Sequence, residues 1–225
     1  VGPTSLRYRA LLSSSPSFAR ARYGFGRPNG DCPAEMTFGG AVEWAVSSAP
    51  TPRVAVSAGP MEWRLDAIGS SVRARVEDRT IEGRGYVETV RLAAAPWRLG
   101  VRRIRWGRFV GEKSWAVWNV VEGDWPFALF AVDGRVTDAF AVSDTAVTGD
   151  VGSVLLGATV NTVHDGDVVQ SQLSAVAPLI RILARGDFAI HQRKAVRAAQ
   201  LTGGAGGPEQ GLAMDELVQM GRRDA

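Results

Sequence analysis

The chain has 225 residues, of which 45% are hydrophobic, and its 26 basic and 23 acidic side chains nearly cancel to a net charge of +3. This composition excludes a disordered chain and provides enough apolar surface for a substantial core, in one large β domain or two small ones. The acidic residues are interleaved with the basic ones, which argues against nucleic-acid binding.

Two further classes of protein are disfavoured by the sequence. No run approaches the roughly 18 apolar residues that a membrane span needs, and no hydrophobic segment behind a basic start marks the chain for export. The single cysteine, Cys32, cannot form an internal disulfide, which fits a reducing compartment. The sequence therefore predicts a cytoplasmic protein without a membrane span.

For the first half of the chain, the sequence predicts a leader at 1–17 followed by short strands. Apolar and polar residues alternate in runs that Gly and Pro separate, which is typical of β-strands in a sandwich or barrel. The predicted strands are 18–25, 36–46, 53–57, 61–67, 72–77, 80–92 and 101–110.

The second half repeats this pattern with more apolar strands. Its predicted strands are 114–121, 126–133, 136–142, 154–163, 168–173 and 188–200. Residues 175–184 fit either a strand or a helix, although Pro178 argues against a helix interior. Residues 201–208 form a Gly-rich linker. Leu212, Leu217 and Met220 recur at helical spacing, which predicts a short C-terminal helix.

A polar cluster is concentrated on two of the predicted strands, 84–92 and 101–110. Because alternate residues of a strand share a face, Tyr86 and Glu88 point the same way as Arg84. The second strand carries Arg102, Ile104, Trp106 and Arg108 on one face and Arg103, Arg105 and Gly107 on the other. This pattern fits a polar cluster inside a barrel or cleft, and it also fits a charged strand rim.

These strands carry a resemblance to a known family. The runs GRGYVE at 83–88 and RWGRF at 105–109, NGDCPAE at 29–35 with Phe38 after it, and AIHQ at 189–192 resemble the hydroxyneurosporene synthase (carotenoid hydratase)-like, or AttH-like, family of lipocalin-type proteins. The chain departs from the family's pattern at Gln192, where the family has Glu, and in the segment before residue 29, which lacks the family's acidic or His residue after Tyr.

The resemblance implies an all-β, lipocalin-like (calycin) antiparallel barrel, or two fused lipocalin-like units, with the short C-terminal helix at the end. The two-unit division places one half at 1–110, the second at 111–200 and the linker and helix at 201–225, while a single barrel over 18–200 is the alternative. The implied activity is that of a cofactor-independent enzyme that hydrates or dehydrates, isomerises or cyclises a hydrophobic terpenoid, polyene or polyketide. A non-catalytic carrier of a lipophilic ligand is the alternative.

Glu88 and Tyr86 are the predicted acid–base pair, with Arg105 or Arg108 as a partner and His191 as a second candidate base. A carboxyl group in an apolar barrel holds its proton more tightly, whereas a nearby guanidinium keeps it ionised. The alternative is a buried Glu–Arg pair that ties neighbouring strands together.

Trp97, Trp106, Trp115 and Trp118 are the predicted wall of the ligand cavity, since indole faces suit a polyene and stabilise a developing carbocation. Ordinary core packing is the alternative. Asp31 and Glu35 are predicted at the barrel mouth, unless they are only solvated.

No cofactor or metal is expected from the sequence. Its two histidines cannot supply a three-His zinc site, and the chain has no P-loop, dinucleotide fingerprint or nucleophile elbow. The predicted partner, a hydrophobic small molecule, is the one that the family resemblance implies. The oligomeric state stays open, with a homodimer as one alternative.

Overall fold

All regular elements of the described residues are β-strands. The computed structural model describes residues 4–12, 35–38, 42–46, 54–76, 79–93, 98–168 and 188–222. Their strands form two antiparallel sheets, which confirms the predicted all-β, lipocalin-like architecture. No helix in these residues has the length and apolar character to cross a membrane.

The first sheet is built from the N-terminal strands. They are β1 (Thr4–Leu12), β2 (Glu35–Phe38), β3 (Val42–Val46), β4 (Val54–Ala58), β5 (Met61–Val76) and β6 (Arg79–Leu92). Their order is β1-β6-β5-β3-β2, and β4 pairs with the first part of β5. The long strands β5 and β6 form the centre of this sheet, and register shifts after Leu65 and Ile68 bend β5.

The second sheet curls into a nearly closed barrel. Its strands are β7 (Val101–Val110), β8 (Trp115–Gly123), β9 (Phe127–Val132), β10 (Arg135–Thr137), β11 (Phe140–Val142), β12 (Ala146–Gly149), β13 (Gly152–Asp167), β14 (Phe188–Thr202) and β15 (Glu209–Arg222). Their order is β10-β9-β8-β7-β15-β14-β13-β12-β11. The two end strands are consecutive in the chain, and the rings of Phe130 and Phe140 lie 5.6 Å apart across the gap.

Two hydrophobic cores occupy opposite faces of the second sheet. One core combines Trp63, Leu65 and Val90 of the first sheet with residues such as Val117 and Val218 of the second, so the two sheets pack face to face. The other core fills the inside of the barrel. It comprises Phe109, Ala116, Trp118, Phe130, Val132, Val147, Val154, Leu156, Ala199, Leu201 and Ala213.

The structure corrects several of the predicted elements. The strands predicted at 61–67 and 72–77 are one strand, β5, and the strand predicted at 36–46 is divided into β2 and β3. The prediction of a C-terminal helix is wrong, because Glu209–Arg222 is a strand that pairs with β14 on one side and β7 on the other. The predicted linker is the end of β14 and a tight turn, in which Gly203 has a φ of +88°. The predicted leader contains β1, which pairs with β6 along its length.

The chain passes from the first sheet to the second between Leu92 and Val101. This point precedes residue 110, where the sequence analysis placed the boundary between the two predicted halves. The division into domains otherwise stays a prediction. The strand predicted at 18–25, the strand predicted at 168–173 apart from its first residue, and the ambiguous segment 175–184 lie outside the described residues.

Candidate functional site

Glu88 is the centre of a buried polar cluster between the two sheets. It lies on β6, on the face that meets the barrel, and only 2% of the residue is exposed. Its Oε2 atom accepts a hydrogen bond from the Trp63 indole N–H at 2.8 Å and forms a short ion pair with Nη2 of Arg108 on β7. This pair therefore joins the first sheet to the second through two charges removed from water.

The Arg108 guanidinium is held from several directions and is also 2% exposed. Its Nη1 donates to the Gly107 carbonyl at 2.6 Å, the Trp118 carbonyl at 3.2 Å and Asn119 Oδ1 at 3.1 Å. The Cζ atom lies 5.2 Å from the ring centroid of Trp63 and 5.4 Å from that of Tyr86. Carbonyl dipoles and aromatic faces thus fix the cation in the position where it meets Glu88.

A second buried ion pair lies beside the first. Lys194 Nζ on β14 is 2.9 Å from Glu216 Oε2 on β15, with 7% and 5% of the two side chains exposed. Gln192 donates its Nε2–H to the other Glu216 oxygen at 2.5 Å. Glu216 is registered opposite Trp106 of β7, so this pair extends the polar cluster across three strands of the barrel wall.

A small cavity lies at the meeting point of these groups. Its lining includes Tyr86, Glu88, Trp106, Arg108, Met214 and Glu216. The volume of about 10 Å³ has room for about one water molecule. The polar cluster therefore lies between the sheets and not inside the barrel, where apolar side chains form the second core.

Tyr86 faces this cavity as a neutral hydrogen-bond donor. Burial raises the pKa of the Tyr86 phenol above its ordinary value. The charges of Lys194 and Arg108 oppose the increase, while those of Glu88 and Glu216 add to it. The phenol therefore keeps its proton at every physiological pH and can donate a hydrogen bond to a bound molecule.

The raised pKa of Tyr86 predicts a loss of stability at alkaline pH. The folded state holds this proton more tightly than the unfolded state, so its contribution is complete below pH about 10 and falls as the pH rises above that value. We expect ionisation of Tyr86 to lower the free energy of unfolding of the parent by up to about 1.4 kcal/mol per pH unit in this range. The Tyr86→Phe variant has no phenol to ionise and is expected to lack this decrease. Thermal unfolding of both proteins from pH 9 to 11.5 measures the difference, and parallel curves would contradict it.

The structure separates the two arginines that were candidates for pairing with Glu88. Arg108 is the partner, whereas Arg105 points to the opposite face of β7, where its Nη1 lies 2.9 Å from Asp144 Oδ1 and its Nη2 lies 3.4 Å from Asp215 Oδ2. Burial raises the pKa of Asp215, against the attraction of Arg105 and Arg197. Arg105 therefore belongs to a different cluster, inside the barrel.

Among the other predicted site residues whose side chains are described, only Trp106 lines this cavity. Trp106 and Trp115 pack against the core between the sheets, while Trp118 is fully buried inside the barrel. His191 is 54% exposed beside Asp165, at 3.4 Å, and is not brought to the cluster. Asp31 and Trp97 lie outside the described residues, and of Glu35 only the backbone is described, on β2.

Sequence reasoning missed Trp63, Lys194 and Glu216. The helical interpretation of 212–220 concealed Glu216, because a strand would have placed it on one face with Met214 and Val218. One signal was available for Lys194, since it is one of only two lysines in an arginine-rich chain. Among the side chains that the structure describes, no group of three or more His, Cys, Asp or Glu residues could hold a metal ion.

Comparison with known proteins supports the fold. No family model and no curated protein sequence matches the chain. The structure is similar to the crystal structure of CghA, with a TM-score of 0.52 and 11% identity over 80% of this chain and 62% of CghA. The predicted lipocalin-type resemblance is thereby confirmed at the level of the fold.

Two further crystal structures show weaker likeness. A protein assigned as AttH from Nitrosomonas europaea has a TM-score of 0.45 and 12% identity over 81% of this chain and 62% of that protein. Kievitone hydratase from Nectria haematococca has a TM-score of 0.39 and 7% identity over 80% and 65%. The chain thus spans less than two thirds of the length of each of these proteins.

Proposed function

We propose that the chain is a cofactor-independent enzyme that acts on a hydrophobic small molecule, of the terpenoid, polyene or polyketide class, by hydration or dehydration, isomerisation or cyclisation. The observation that carries this proposal is the convergence of Tyr86, Glu88 and Arg108 on one cavity between the sheets. Each of them is at most 5% exposed, so a carboxylate that can accept a proton lies beside a phenol that donates a hydrogen bond.

The chemistry follows from the groups around the cavity. A water molecule in a space of this size would have the carboxylates of Glu88 and Glu216 as acceptors and the Tyr86 hydroxyl as a donor. These charges act in a site with little water, where they stabilise a developing charge more strongly than they would in solution. Of the proposed reactions, addition or removal of water makes the most direct use of this arrangement.

The apolar side of the cavity suits the proposed substrate. The indole of Trp106 and the side chain of Met214 line it, and an indole face stabilises a cationic carbon. A substrate larger than water enters only if a side chain moves, and the flexible thioether of Met214 is the one best able to do so.

One observation favours a second candidate function, a carrier that binds a lipophile without changing it. Glu88 is held by both Arg108 and Trp63, so the carboxylate also has a complete structural role as a link between the sheets. In that case the polar cluster orients a ligand and transfers no proton.

Isotope labelling separates the two candidates. Apolar compounds are extracted from the purified protein, identified by mass spectrometry and returned to ligand-free protein in H₂¹⁸O or in D₂O. Hydration introduces ¹⁸O, isomerisation by proton transfer introduces deuterium, and cyclisation changes the retention time without a change in mass. A compound that is returned chemically unchanged favours the carrier.

Glu88→Gln is expected to reduce turnover by about 100-fold while the affinity for the neutral apolar probe N-phenyl-1-naphthylamine changes little. The amide keeps the shape of the side chain but cannot take a proton. The matched control is Glu122→Gln, which neutralises a carboxylate on β8 that is 47% exposed and 3.4 Å from Arg103. Full turnover in a folded Glu88→Gln variant would remove Glu88 from the mechanism.

A further inference from the structure

A second charged cluster lies on the concave face of the barrel sheet, and the sheet itself separates it from Glu88. Arg105 and Asp215 lie on the central strands β7 and β15, and Arg193 and Arg197 lie on β14. Strand alternation places these four on the same face as Phe109, Ala213, Ala199 and the other residues of the inner core. The cluster therefore closes one end of the barrel interior with charge.

Two buried atoms of this cluster have no hydrogen-bond partner among the described residues. Asp215 Oδ2 lies 3.4 Å from Arg105 Nη2 and 3.5 Å from Arg197 Nη1. Within the described part of the chain, however, Asp215 Oδ1 and Arg105 Nε have no hydrogen-bond partner, although only 8% and 5% of these residues are exposed. Most buried polar atoms in proteins are hydrogen-bonded to protein or to ordered water, so these two atoms are available to a bound group or a water molecule.

Asp144 reaches into the cluster from the turn between β11 and β12. Its carboxylate lies 2.9 Å from Arg105 Nη1 and 3.4 Å from Arg193 Nη2, and its carbonyl oxygen accepts from Arg197 Nη1 at 2.5 Å. The Asp144 side chain is nevertheless 71% exposed, whereas that of Arg105 is 6% exposed. An exposed turn residue therefore occupies the open side of a buried arginine.

The charges at this end of the barrel favour an anion. Three guanidiniums face the carboxylates of Asp144 and Asp215, so movement of the Asp144 turn leaves three positive charges against one negative. The hydrogen bond from Arg105 holds the pKa of Asp144 below its ordinary value, so this residue stays ionised while it is in place.

We propose that this end of the barrel is a second binding site, where Arg105, Arg193 and Arg197 hold the carboxylate or phosphate group of a small molecule after the Asp144 turn moves aside. Guanidinium groups match the paired oxygens of both anions. The carboxylate of Asp144 is an internal competitor that occupies the site when no ligand is bound.

The test is Asp144→Ala in the full chain. Isothermal titration calorimetry at low ionic strength measures the binding of inorganic phosphate and of acetate, as separate probes, to the parent and the variant. We expect the variant to bind at least one probe about tenfold more tightly, because a tethered competitor is removed. The probe that gains more identifies the preferred anion.

Asp150→Ala is the matched control, because Asp150 is exposed in the turn between β12 and β13 and its loss changes the net charge equally. It is expected to leave both affinities unchanged. Equal affinities in Asp144→Ala and Asp150→Ala, with circular dichroism showing both folded, would overturn the proposal.

Arg193→Gln in the Asp144→Ala background tests the arginines, since Arg193 is 48% exposed and its replacement spares the buried pair. This double variant is expected to lose most of the gain in affinity. If the gain persists, Arg193 does not help to hold the anion, and the proposed three-arginine site is wrong.

Discussion

Replacement of Arg108 by methionine is expected to lower the free energy of unfolding by about 3–5 kcal/mol. Glu88 then keeps its hydrogen bond from Trp63 but loses the cation beside it, at a position that is 2% exposed. Such a charge has neither solvent nor a counter-ion, and removal of one partner of a buried pair is costly for that reason. Urea unfolding, followed by tryptophan fluorescence, measures the loss.

The double variant Glu88→Gln with Arg108→Met is the control for this prediction. It has no uncompensated charge, so we expect it to recover most of the lost stability. Glu88→Gln alone is expected to be milder than Arg108→Met, because Arg108 still donates to the Gly107 and Trp118 carbonyls and to Asn119. A loss below about 1 kcal/mol for Arg108→Met, the range of exposed ion pairs, would show that water reaches Glu88.

Strand alternation was sufficient to predict which side chains share a face, but not which faces meet. It placed Tyr86 with Glu88 and Trp106 with Arg108, and the structure brings these two faces together. It left Arg105 and Arg108 as equal candidates, because the choice depends on which side of β7 turns towards the first sheet. Packing between residues far apart in the sequence decides that orientation. The alternation of residues within one strand does not predict it.

The C-terminal strand shows how a local pattern can be overridden. Leu212, Leu217 and Met220 fit a helix, yet the same segment also alternates, with Met214 and Val218 on one face. Hydrogen bonds from both β14 and β7 stabilise the extended form. The spacing of apolar residues within the segment cannot predict these two neighbouring strands. Correct assignment of this strand is what brings Glu216 into the candidate site.

The tryptophans illustrate the limit of a compositional argument. A dense group of indoles indicates an aromatic wall, but residues on successive strands can face opposite ways. Trp106 borders the cavity between the sheets, whereas Trp118 is fully buried in the inner core. The inside of the barrel is filled because Trp118 packs there, and the space for this ring depends on the residue across from it, Gly107.

Gly107→Ala is accordingly expected to lower the free energy of unfolding by about 3 kcal/mol or more. A Cβ atom at Gly107 would lie 1.9 Å from Trp118 Cζ2 and 2.6 Å from the Met214 carbonyl oxygen. The indole is fully buried, and the carbonyl belongs to β15, which is paired on both sides, so neither can move away without loss of packing or of sheet hydrogen bonds.

Gly221→Ala provides the matched control on β15, because a Cβ atom there meets no heavy atom within 4 Å, and its effect is expected to stay within about 0.5 kcal/mol. Urea unfolding gives both values, and near-ultraviolet circular dichroism reports whether Trp118 keeps its environment. Equal stability of the two variants would mean that Trp118 leaves its position opposite Gly107 at little cost. The barrel would then hold space that a ligand could use, and the inter-sheet cavity would no longer be the favoured site for an apolar molecule.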